Sequence, residues 1–364
     1  MTTSLHIHFS GLNDPRLARR KRHLLTDIII LTIVAVLCGA ESWDSIELFG
    51  KTKIDFLRLF LKLPNGIPSH DTINRVISML NPRSFERIFT QWVQSLKDKG
   101  IDVELIAIDG KTVRGSKDTF HEKSAIHLIN AWASQNQLVL GQCKSEGKSN
   151  EIESIPVLLD LLDIKDSIIT IDAMGTQRDI AKKIIKGEAN YILALKANQK
   201  ELLEETQSIF RVQTPDSTSS VAEKGHGRIE TRTCEVISNL EFLYGKEKWE
   251  GLKSIVRITS NRSINNKKTE EQRYYISSLD VNAEKFNSYI RQHWGVENNL
   301  HWTLDMTFNE DHQRKRNGMA AQNFSLINKI ALNLLKKDNS KGSLKAKRLK
   351  AGWDNQYLLK LITI

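Results

Sequence analysis

The sequence predicts an α/β protein in which a helical N-terminal region precedes an α/β core. A mostly β insertion interrupts that core, and a basic helix follows it. Three observations predict this order: apolar residues recur at helical spacing up to about residue 100, short continuous apolar runs then alternate with helical segments, and polar alternation replaces both from residue 201. The predicted segments are 1–100, 101–200, 201–285, 286–340 and 341–364.

The composition is that of a globular protein large enough to bury a sizeable core, with 364 residues, 40% hydrophobic and 26% charged. Its formal net charge of +10 favours a polyanionic partner. Residues 312–350 hold eleven Lys and Arg against one acid, Asp338, so this segment accounts for the whole excess. Two interpretations stay open: a solvated basic helix face, or a surface that contacts a phosphate backbone.

The cysteines predict neither a disulfide framework nor a metal cage, and a reducing, cytoplasmic location fits them. They lie far apart with no CxxC pair: Cys38, Cys143 and Cys234. The apolar run at residues 28–40 is about 13 residues long, whereas a membrane span needs roughly 18–20. Because Asp27 and Glu41 flank the run, we expect a buried helix and no membrane contact.

The N-terminal region reads as a series of helices. Ser69 is a plausible N-cap for a helix over residues 71–80, and Asn81-Pro82 ends it. Apolar residues recur at helical spacing again from Phe85. Two short helices beside a turn could form a DNA-reading helix-turn-helix, but plain helical packing explains the pattern equally simply.

Strands and helices alternate after residue 103. The predicted strands are 105–108, 125–133, 138–142, 168–171 and 191–195. A capping box of Asn150 and Glu153 is predicted to open a helix over 155–162, and a second helix covers 178–186. Beyond residue 200 we predict a loop at 217–220, then strands at 228–237, 254–259 and 273–277. We interpret this part as an insertion rather than a continuation of the α/β layer.

Two of the buried strands end in the same way. The apolar run 105–108 ends at Asp109, and the run 168–171 ends at Asp172, each followed by a small residue. Functional sites form at the carboxyl ends of strands in α/β sheets. Either aspartate alone could merely cap a turn, but two copies in adjacent strands favour a shared metal site.

A third carboxylate, Glu297, follows on a helix. We place it on the inward stripe, three residues from both Trp294 and Leu300. A buried glutamate needs a cationic partner, either an internal arginine or a metal ion shared with the two aspartates. Three carboxylates suit Mg²⁺ or Mn²⁺, and a pair of such ions catalyses phosphoryl transfer. Rival third ligands lie nearby: Asp305, Glu310 and Asp311.

Three sequence blocks resemble the signature blocks of DDE transposases of bacterial insertion sequences, in the group that includes the H-repeat-associated proteins. They are IDGK at residues 108–111, IDAMGTQ at 171–177 and RQHWGVEN at 291–298. Further marks of that group are LKANQ at 195–199, HGRIETR at 226–232 and LHWTLD at 300–305. The resemblance covers about residues 12 to 340.

The resemblance implies an RNase H-like catalytic core, interrupted by a β insertion before the glutamate helix. It implies that Asp109, Asp172 and Glu297 are both the catalytic residues and the ligands of Mg²⁺ or Mn²⁺. The spacings of 63 and 125 residues between them leave room for the insertion. The implied reaction is cleavage of DNA at transposon ends and strand transfer into target DNA, with a homo-oligomer forming on DNA. A stand-alone metal nuclease and a catalytically inactive DNA-binding relative are the alternatives.

The match departs from related transposases at two positions. His293 stands where those relatives have an arginine, and Leu304 stands where they have a lysine, which puts their phosphate contacts in doubt here. Our candidates for DNA contact are residues beside the blocks, although each alone could be a surface group. They are Lys111, Arg114, Lys196, Asn198, His226, Arg228, Arg291, His293, Arg314 and Arg316.

Overall fold

The computed structural model describes residues 3–97, 104–147, 150–225, 228–264 and 267–363. Within these ranges, nine strands form one sheet. They are β1 Leu105–Val113, β2 Ile126–Ala133, β3 Leu138–Ser145, β4 Ile168–Ile171, β5 Asn190–Leu195, β6 Ser217–Gly225, β7 Arg228–Ile237, β8 Ser254–Ile264 and β9 Lys267–Ser277. Their order across the sheet is β3-β2-β1-β4-β5-β9-β8-β7-β6.

The first five strands combine two kinds of pairing. β1, β2 and β3 are antiparallel neighbours, whereas β1, β4 and β5 run parallel. Ile108 of β1 pairs with Ile171 of β4, and this parallel pairing ends there, so Asp109 and Asp172 lie just beyond it. Asp109 does not end its strand as predicted, because β1 continues to Val113 and Asp109 pairs with Asn130 of β2. All four residues of β4 are buried, which explains why its sequence is a continuous apolar run.

Three helices, α7 Glu151–Leu161, α8 Arg178–Lys186 and α9 Lys200–Val212, connect strands of the sheet. The capping box predicted at the start of α7 does not form. The helix begins four residues earlier than predicted, at Glu151, and the side chain of Asn150 makes no capping hydrogen bond. Glu151 is instead buried and pairs with His127 of β2, so this helix start is held by the sheet.

Six helices form the N-terminal region: α1 Ser4–Phe9, α2 Leu25–Leu37, α3 Trp43–Thr52, α4 Ile54–Leu57, α5 His70–Met79 and α6 Pro82–Leu96. Ser69 caps α5 as predicted, by accepting from the backbone N–H of Thr72. The apolar run at 28–40 forms α2, which is buried almost throughout. Of the helices in the described ranges, none is long and apolar enough to cross a bilayer.

The C-terminal part contributes α10 Ala283–His293, a π-helical turn Val296–His301, α11 Trp302–Met306, α12 Ala320–Lys337, α13 Leu344–Trp353 and α14 Asn355–Ile362. The segment predicted as a basic tail, 341–364, forms α13 and α14, with Lys345 and Lys350 exposed and Lys347 and Arg348 buried. α12 is buried along most of its length and packs against α2, α5, α6 and β3. Apolar residues of α12 fill the core, and its one central cation, Lys329, is buried with them.

The insertion predicted at 201–285 differs most from the structure. Its strands continue the sheet, because β9 pairs with β5 in a ladder that joins Ile192 to Ser277 and Leu195 to Tyr274. Residues 217–220, predicted as a loop, begin β6, and β8 and β9 both extend beyond their predicted bounds. These strand ends are polar on both faces, so they lack the apolar run by which a strand is recognised in a sequence. Their backbones nonetheless form ladder hydrogen bonds with the neighbouring strands.

Candidate active site

A cavity of about 280 Å³ opens where the parallel pairing of β1 with β4 ends, beyond Ile108 and Ile171. The structure brings five of the predicted site residues to its walls: Asp109, Asp172, Lys196, His293 and Glu297. Thr170, Arg273 and Trp294 line the same cavity. Asp109, Asp172 and Glu297, far apart in the sequence, therefore face one space.

Asp109 lies in a half-buried position at the wall. Its Oδ1 accepts a hydrogen bond from the backbone N–H of Gly110 at 2.8 Å, and its Oδ2 lies 3.6 Å from Nδ1 of His301. The pKa of Asp109 is raised to about 7, and burial is the largest cause. The nearby carboxylates of Asp172, Glu297 and Glu151 also raise this pKa, whereas the hydrogen bond from Gly110 N–H lowers it. The site thus concentrates negative charge.

Gly110 leaves room for a second pair of groups. His127 and Glu151 are both buried and meet at 2.6 Å between Nε2 and Oε1. A Cβ atom on Gly110 would lie 2.4 Å from that Nε2 and 2.5 Å from that Oε1. Only glycine therefore permits the imidazole and carboxylate to lie across the backbone next to Asp109.

Asp172 is fixed by the turn that follows it. Its Oδ1 accepts from the backbone N–H of Met174 at 3.1 Å, which caps the short 3₁₀ turn Ala173–Gly175. Asn198 Nδ2 donates to the carbonyl of Ala173 at 2.6 Å. Asn198, which we predicted to contact DNA, thus ties its loop to the aspartate's turn.

Glu297 does not lie on the core-facing stripe that we predicted. It belongs to the π-helical turn, where Val296 and Leu300 take the buried positions and Glu297 is exposed to the cavity. The wider turn changes the phase of the helix, so a constant period of 3.6 residues assigns the wrong face. Our argument that a buried, unpaired Glu297 needs a cationic partner is therefore wrong. Partial burial nonetheless raises the pKa of Glu297, and the positive charge of Arg273 opposes that shift.

Two histidines beside the carboxylates are neutral. Nδ1 of His293 lies 2.8 Å from the Thr170 hydroxyl, and burial lowers the pKa of His293 to about 4. Burial, followed by nearby positive charges, lowers the pKa of His301 to about 3. His301 Nε2 faces the amide nitrogen of Asn130 at 3.4 Å, so its proton belongs on Nδ1, toward Asp109. His293 therefore offers no positive charge to a phosphate, contrary to our expectation.

Lys111 is not available to DNA either. Its side chain is buried, and its ammonium lies 2.7 Å from Asp305, 3.4 Å from Glu310 and 3.1 Å from Asp311. A buried ammonium requires such compensation. The three rival carboxylates are thus partners of Lys111, and the lining of the cavity, as far as the structure describes it, includes none of them.

The remaining DNA-contact candidates are dispersed. Arg291 lies 3.4 Å from Glu223, and the largely exposed Arg114 lies 3.4 Å from Asp311. Arg314 and Arg316 are exposed in the segment before α12. His226 lies outside the described residues, and of Arg228 only the backbone, paired into β7, is described.

Several residues of the site were not singled out from the sequence: His127, Glu151, Thr170, Arg273 and His301. One signal for His127 was present, since it and Asn130 interrupt the otherwise apolar strand β2. His301 follows Glu297 by four residues, which places both on one side of a helical segment. Arg273 had no local signal, because it reaches the cavity only through the pairing of β9 with β5.

The donor groups of the cavity suit a hard divalent cation. Three carboxylates offer only oxygen ligands, and the repulsion that contributes to the raised pKa of Asp109 is what a bound cation would relieve. In the ranges that the structure describes, no three His, Cys, Asp or Glu side chains converge closely enough to hold a metal ion. Each aspartate instead turns one oxygen toward a backbone N–H.

Comparison with known proteins adds a family. Residues 102–334 match the family model described as Transposase DDE domain, and residues 6–93 match one described as DDE_Tnp_1-associated. Two relatives from Escherichia coli K12, "Putative protein YbfL" and "H repeat-associated putative transposase YhhI", are each 45% identical over 98% of this chain and 96% of their own. A third, "Inactive transposase YbfQ", also from Escherichia coli K12, is 52% identical over 71 residues, which make up 20% of this chain and 84% of that protein.

Proposed function

The chain belongs to the DDE transposases of insertion sequences, and we propose that it cleaves DNA at the ends of its element and transfers the freed strands into target DNA. One observation carries the proposal. Asp109, Asp172 and Glu297 line a single cavity, although 125 residues separate the second from the third. An arrangement that brings three distant carboxylates to one wall is typical of phosphoryl transfer with metal ions.

The core that holds this site is RNase H-like in our proposal. Support comes from the strand order β3-β2-β1-β4-β5, with three antiparallel strands followed by two parallel ones. The strands β6 to β9 then enter between β5 and α10, before the turn that bears Glu297. In this reading they are the insertion of the family, added to the edge of the core sheet.

We propose that Asp109, Asp172 and Glu297 bind Mg²⁺ or Mn²⁺, which when bound supply the Lewis acidity for attack of a hydroxyl on the scissile phosphodiester. The chain's own residues hold the ligands in place. Backbone N–H groups orient one oxygen of each aspartate, and the neutral His301 directs its proton toward Asp109. The pair His127–Glu151 supports the strand from the opposite side of Gly110.

DNA is the proposed substrate, both as transposon ends and as target, and we expect two or more copies of the chain to assemble on it. The basic groups that support DNA contact are those exposed or at the cavity, such as Lys196, Arg314 and Arg316. Lys111 and His293 do not support it, because one is enclosed by carboxylates and the other is neutral.

The test is incubation of the chain with linear DNA that carries the boundary of its own element, with Mg²⁺ and a supercoiled plasmid as target. We expect cleavage at the boundary, joining to the plasmid, and loss of both in EDTA. Boundary cleavage without joining would identify a stand-alone nuclease. Specific binding without cleavage would identify an inactive relative, and cleavage that persists in EDTA would refute the metal-dependent mechanism.

A further inference from the structure

The cavity contains more acids than cations. Four carboxylates line it in the described part of the chain: Asp109, Asp172, Glu271 and Glu297. Among the same described residues its charged cations are Lys196 and Arg273, since His293 is neutral. A DNA phosphate that enters this space needs a positive group beside it, and the choice among the residues that line the cavity is therefore narrow.

Arg273 is the better placed of the two for a directed contact. It comes from β9, the strand that joins the core at β5, and its Nε donates to Oε1 of Glu271 at 2.8 Å. Its guanidinium carbon lies 4.8 Å from the centre of the Trp294 ring. A guanidinium has five N–H donors in a fixed plane, so the Glu271 carboxylate, the Tyr275 hydroxyl and the Trp294 face still leave donors for a further anion.

A basic notch adjoins the cavity at Arg273. It lies between β7, β8, β9 and α10, and it shares Arg273 and Trp294 with the cavity. Three more arginines line it: Arg232, Arg262 and Arg291. Among its described lining residues the single acid is Glu230. Glu223, outside the lining, lies 3.3 Å from Arg232 and 3.4 Å from Arg291, so it offsets part of this positive charge.

The notch is built rather than formed by mobile surface side chains. Arg232 is 8% exposed, and Asn287 of α10 holds its Nε at 3.0 Å. Nε of Arg262 is buried and makes no hydrogen bond in the structure, although Glu230 lies 3.4 Å away. The Arg262 side chain as a whole is 39% exposed, so its guanidinium remains accessible to an anionic ligand that arrives from outside.

We propose that Arg273 binds a phosphate of the DNA strand next to the three carboxylates, and that the notch binds the phosphate backbone as the strand continues toward α10. The proposal rests on the proposed function and specifies how that site holds its substrate. When DNA is absent, Glu271 accepts a hydrogen bond from Arg273. When DNA binds, the phosphate replaces Glu271 as the partner of Arg273. Arg273 of β9 thus supplies the positive charge that the neutral His293 of α10 does not.

Four variants test this by binding to labelled boundary DNA without metal: Arg273→Gln, Glu271→Gln, the double variant, and Glu270→Gln. Arg273→Gln should weaken binding about tenfold and lower the slope of log K against log salt by about 0.9. Glu271→Gln should strengthen binding about threefold, because it frees Arg273. In the double variant that gain should vanish.

Glu270→Gln is the matched control, because it removes the same charge one residue away from the cavity wall. A general loss of repulsion would raise affinity equally in both glutamate variants and in the double variant, which would refute the proposal. Unchanged affinity and salt slope in Arg273→Gln would refute it too. Urea unfolding of each variant identifies any that fails to fold, and Arg273→Lys, which keeps the charge, should restore part of the affinity.

The outcome is distinguishable from failure of the proposed function. If wild-type protein cleaves and joins boundary DNA while Arg273→Gln binds normally, only the role of Arg273 is wrong. If wild-type protein neither cleaves nor prefers boundary DNA over an unrelated duplex, the proposed function itself is wrong. If Arg273 acts on the reacting phosphate as well as on affinity, cleavage at saturating DNA should also fall in Arg273→Gln.

Discussion

The side-chain amide of Asn333 hydrogen-bonds to both backbone groups of Val139, with Nδ2 donating to the carbonyl and Oδ1 accepting from the N–H, each at 2.9 Å. Val139 lies in β3, the edge strand of the sheet, at a register shift opposite Trp132. The Asn333 amide on α12 thus hydrogen-bonds to the outer edge of β3, where no further strand of the described sheet pairs with β3. This contact joins the helical region to the sheet that carries the site.

Replacing Asn333 by leucine should therefore destabilise the whole protein. The change leaves a buried N–H and a buried carbonyl without partners, at a cost of about 2–4 kcal/mol. Urea unfolding followed by circular dichroism measures the loss. Asn317→Leu, the same change at an exposed position just before α12, is the control and should unfold near the wild-type midpoint. Equal stability of both variants would contradict the assigned role.

Asp109→Asn should abolish cleavage while DNA binding persists. The amide keeps the shape of the carboxylate but removes the negative charge that a divalent cation requires. Cleavage and gel-shift assays with boundary DNA measure the two properties separately. Asp179→Asn, in the exposed first turn of α8, removes a charge outside the cavity and should cleave at the wild-type rate. Residual cleavage by Asp109→Asn near that rate would rule out its role as a ligand.

Gly110→Ala should disturb the site without changing any charge. Its Cβ would overlap Nε2 of His127 and Oε1 of Glu151, so this buried pair must move away from Asp109. We expect a stability loss of about 1–3 kcal/mol and a fall in cleavage of at least about tenfold. Gly11→Ala is the comparison, because its nearest neighbour would lie at 3.7 Å. Wild-type cleavage by Gly110→Ala would show that the pair does not support the site.

Lys329 predicts a pH-dependent contribution to stability. Burial lowers its pKa from 10.5 to about 8, while Nζ donates to Gln142 at 2.6 Å and Ser325 at 2.8 Å. Between those two pH values the unfolded chain keeps a proton that the folded chain has lost, so the free energy of unfolding rises with pH. Below about pH 8 both states are protonated, and this contribution is constant.

The measurement is urea unfolding of wild-type protein and Lys329→Met across that range. Relative to the variant, wild-type protein should gain up to roughly 3 kcal/mol as the pH rises from about 8 to about 10.5. Burial also lowers the pKa of Lys315 to about 8, but Lys315 is common to both proteins and its contribution cancels in the difference. A difference that stays flat with pH would contradict the assignment.

The basic residues near the C-terminus should separate into two classes. Lys347 is buried against the carbonyl of Asp338, and Arg348 donates to Val36 at 2.8 Å and lies 4.5 Å from the Phe308 ring centre. Lys345 and Lys350 are exposed. Arg348→Ala should cost about 2–4 kcal/mol, since carbonyls lose their donor and Phe308 loses its packing.

Lys345→Ala with Lys350→Ala should leave stability unchanged within about 0.5 kcal/mol. Any DNA contact by this segment then shows as lower affinity and a lower salt slope in that double variant. A large unfolding penalty in the exposed pair, or none in Arg348→Ala, would contradict the burial pattern. Our interpretation of residues 312–350 as one basic surface was too coarse, because a count of charges does not distinguish buried cations from exposed ones.

The parts of the fold that the sequence predicts well are those where burial acts on every residue. Strands β4 and β5 are covered on both faces, so their apolar runs mark them clearly. The strands of the extension are polar at their ends, and their existence depends on backbone pairing with neighbours, which leaves a weak pattern in the side chains. The predicted loop at the start of β6 reflects that limit.

The candidate site divides in the same way. Asp109 and Asp172 could be predicted because each follows an apolar run, and the parallel pairing of the two runs brings the aspartates together. The predicted strand end at Asp109 was wrong, because β1 continues to Val113. Arg273 could not be predicted, because its place depends on the pairing of two strands about 80 residues apart. To predict which way Glu297 points, one must know the number of residues per turn of its helix. A π-helical turn has no strong signature in a single sequence, so this number could not be predicted.

That turn has a consequence for insertions and deletions. A π-helical turn holds one residue more than an α-helical turn of the same kind, so deletion of one residue within Val296–His301 would restore a regular helix. The residues beyond the deletion would then rotate by about 100° about the helix axis relative to those before it. Glu297 and His301 could no longer both face Asp109, so the length of this turn should tolerate change less than the identity of Asn299, which is exposed and lines neither the cavity nor the notch.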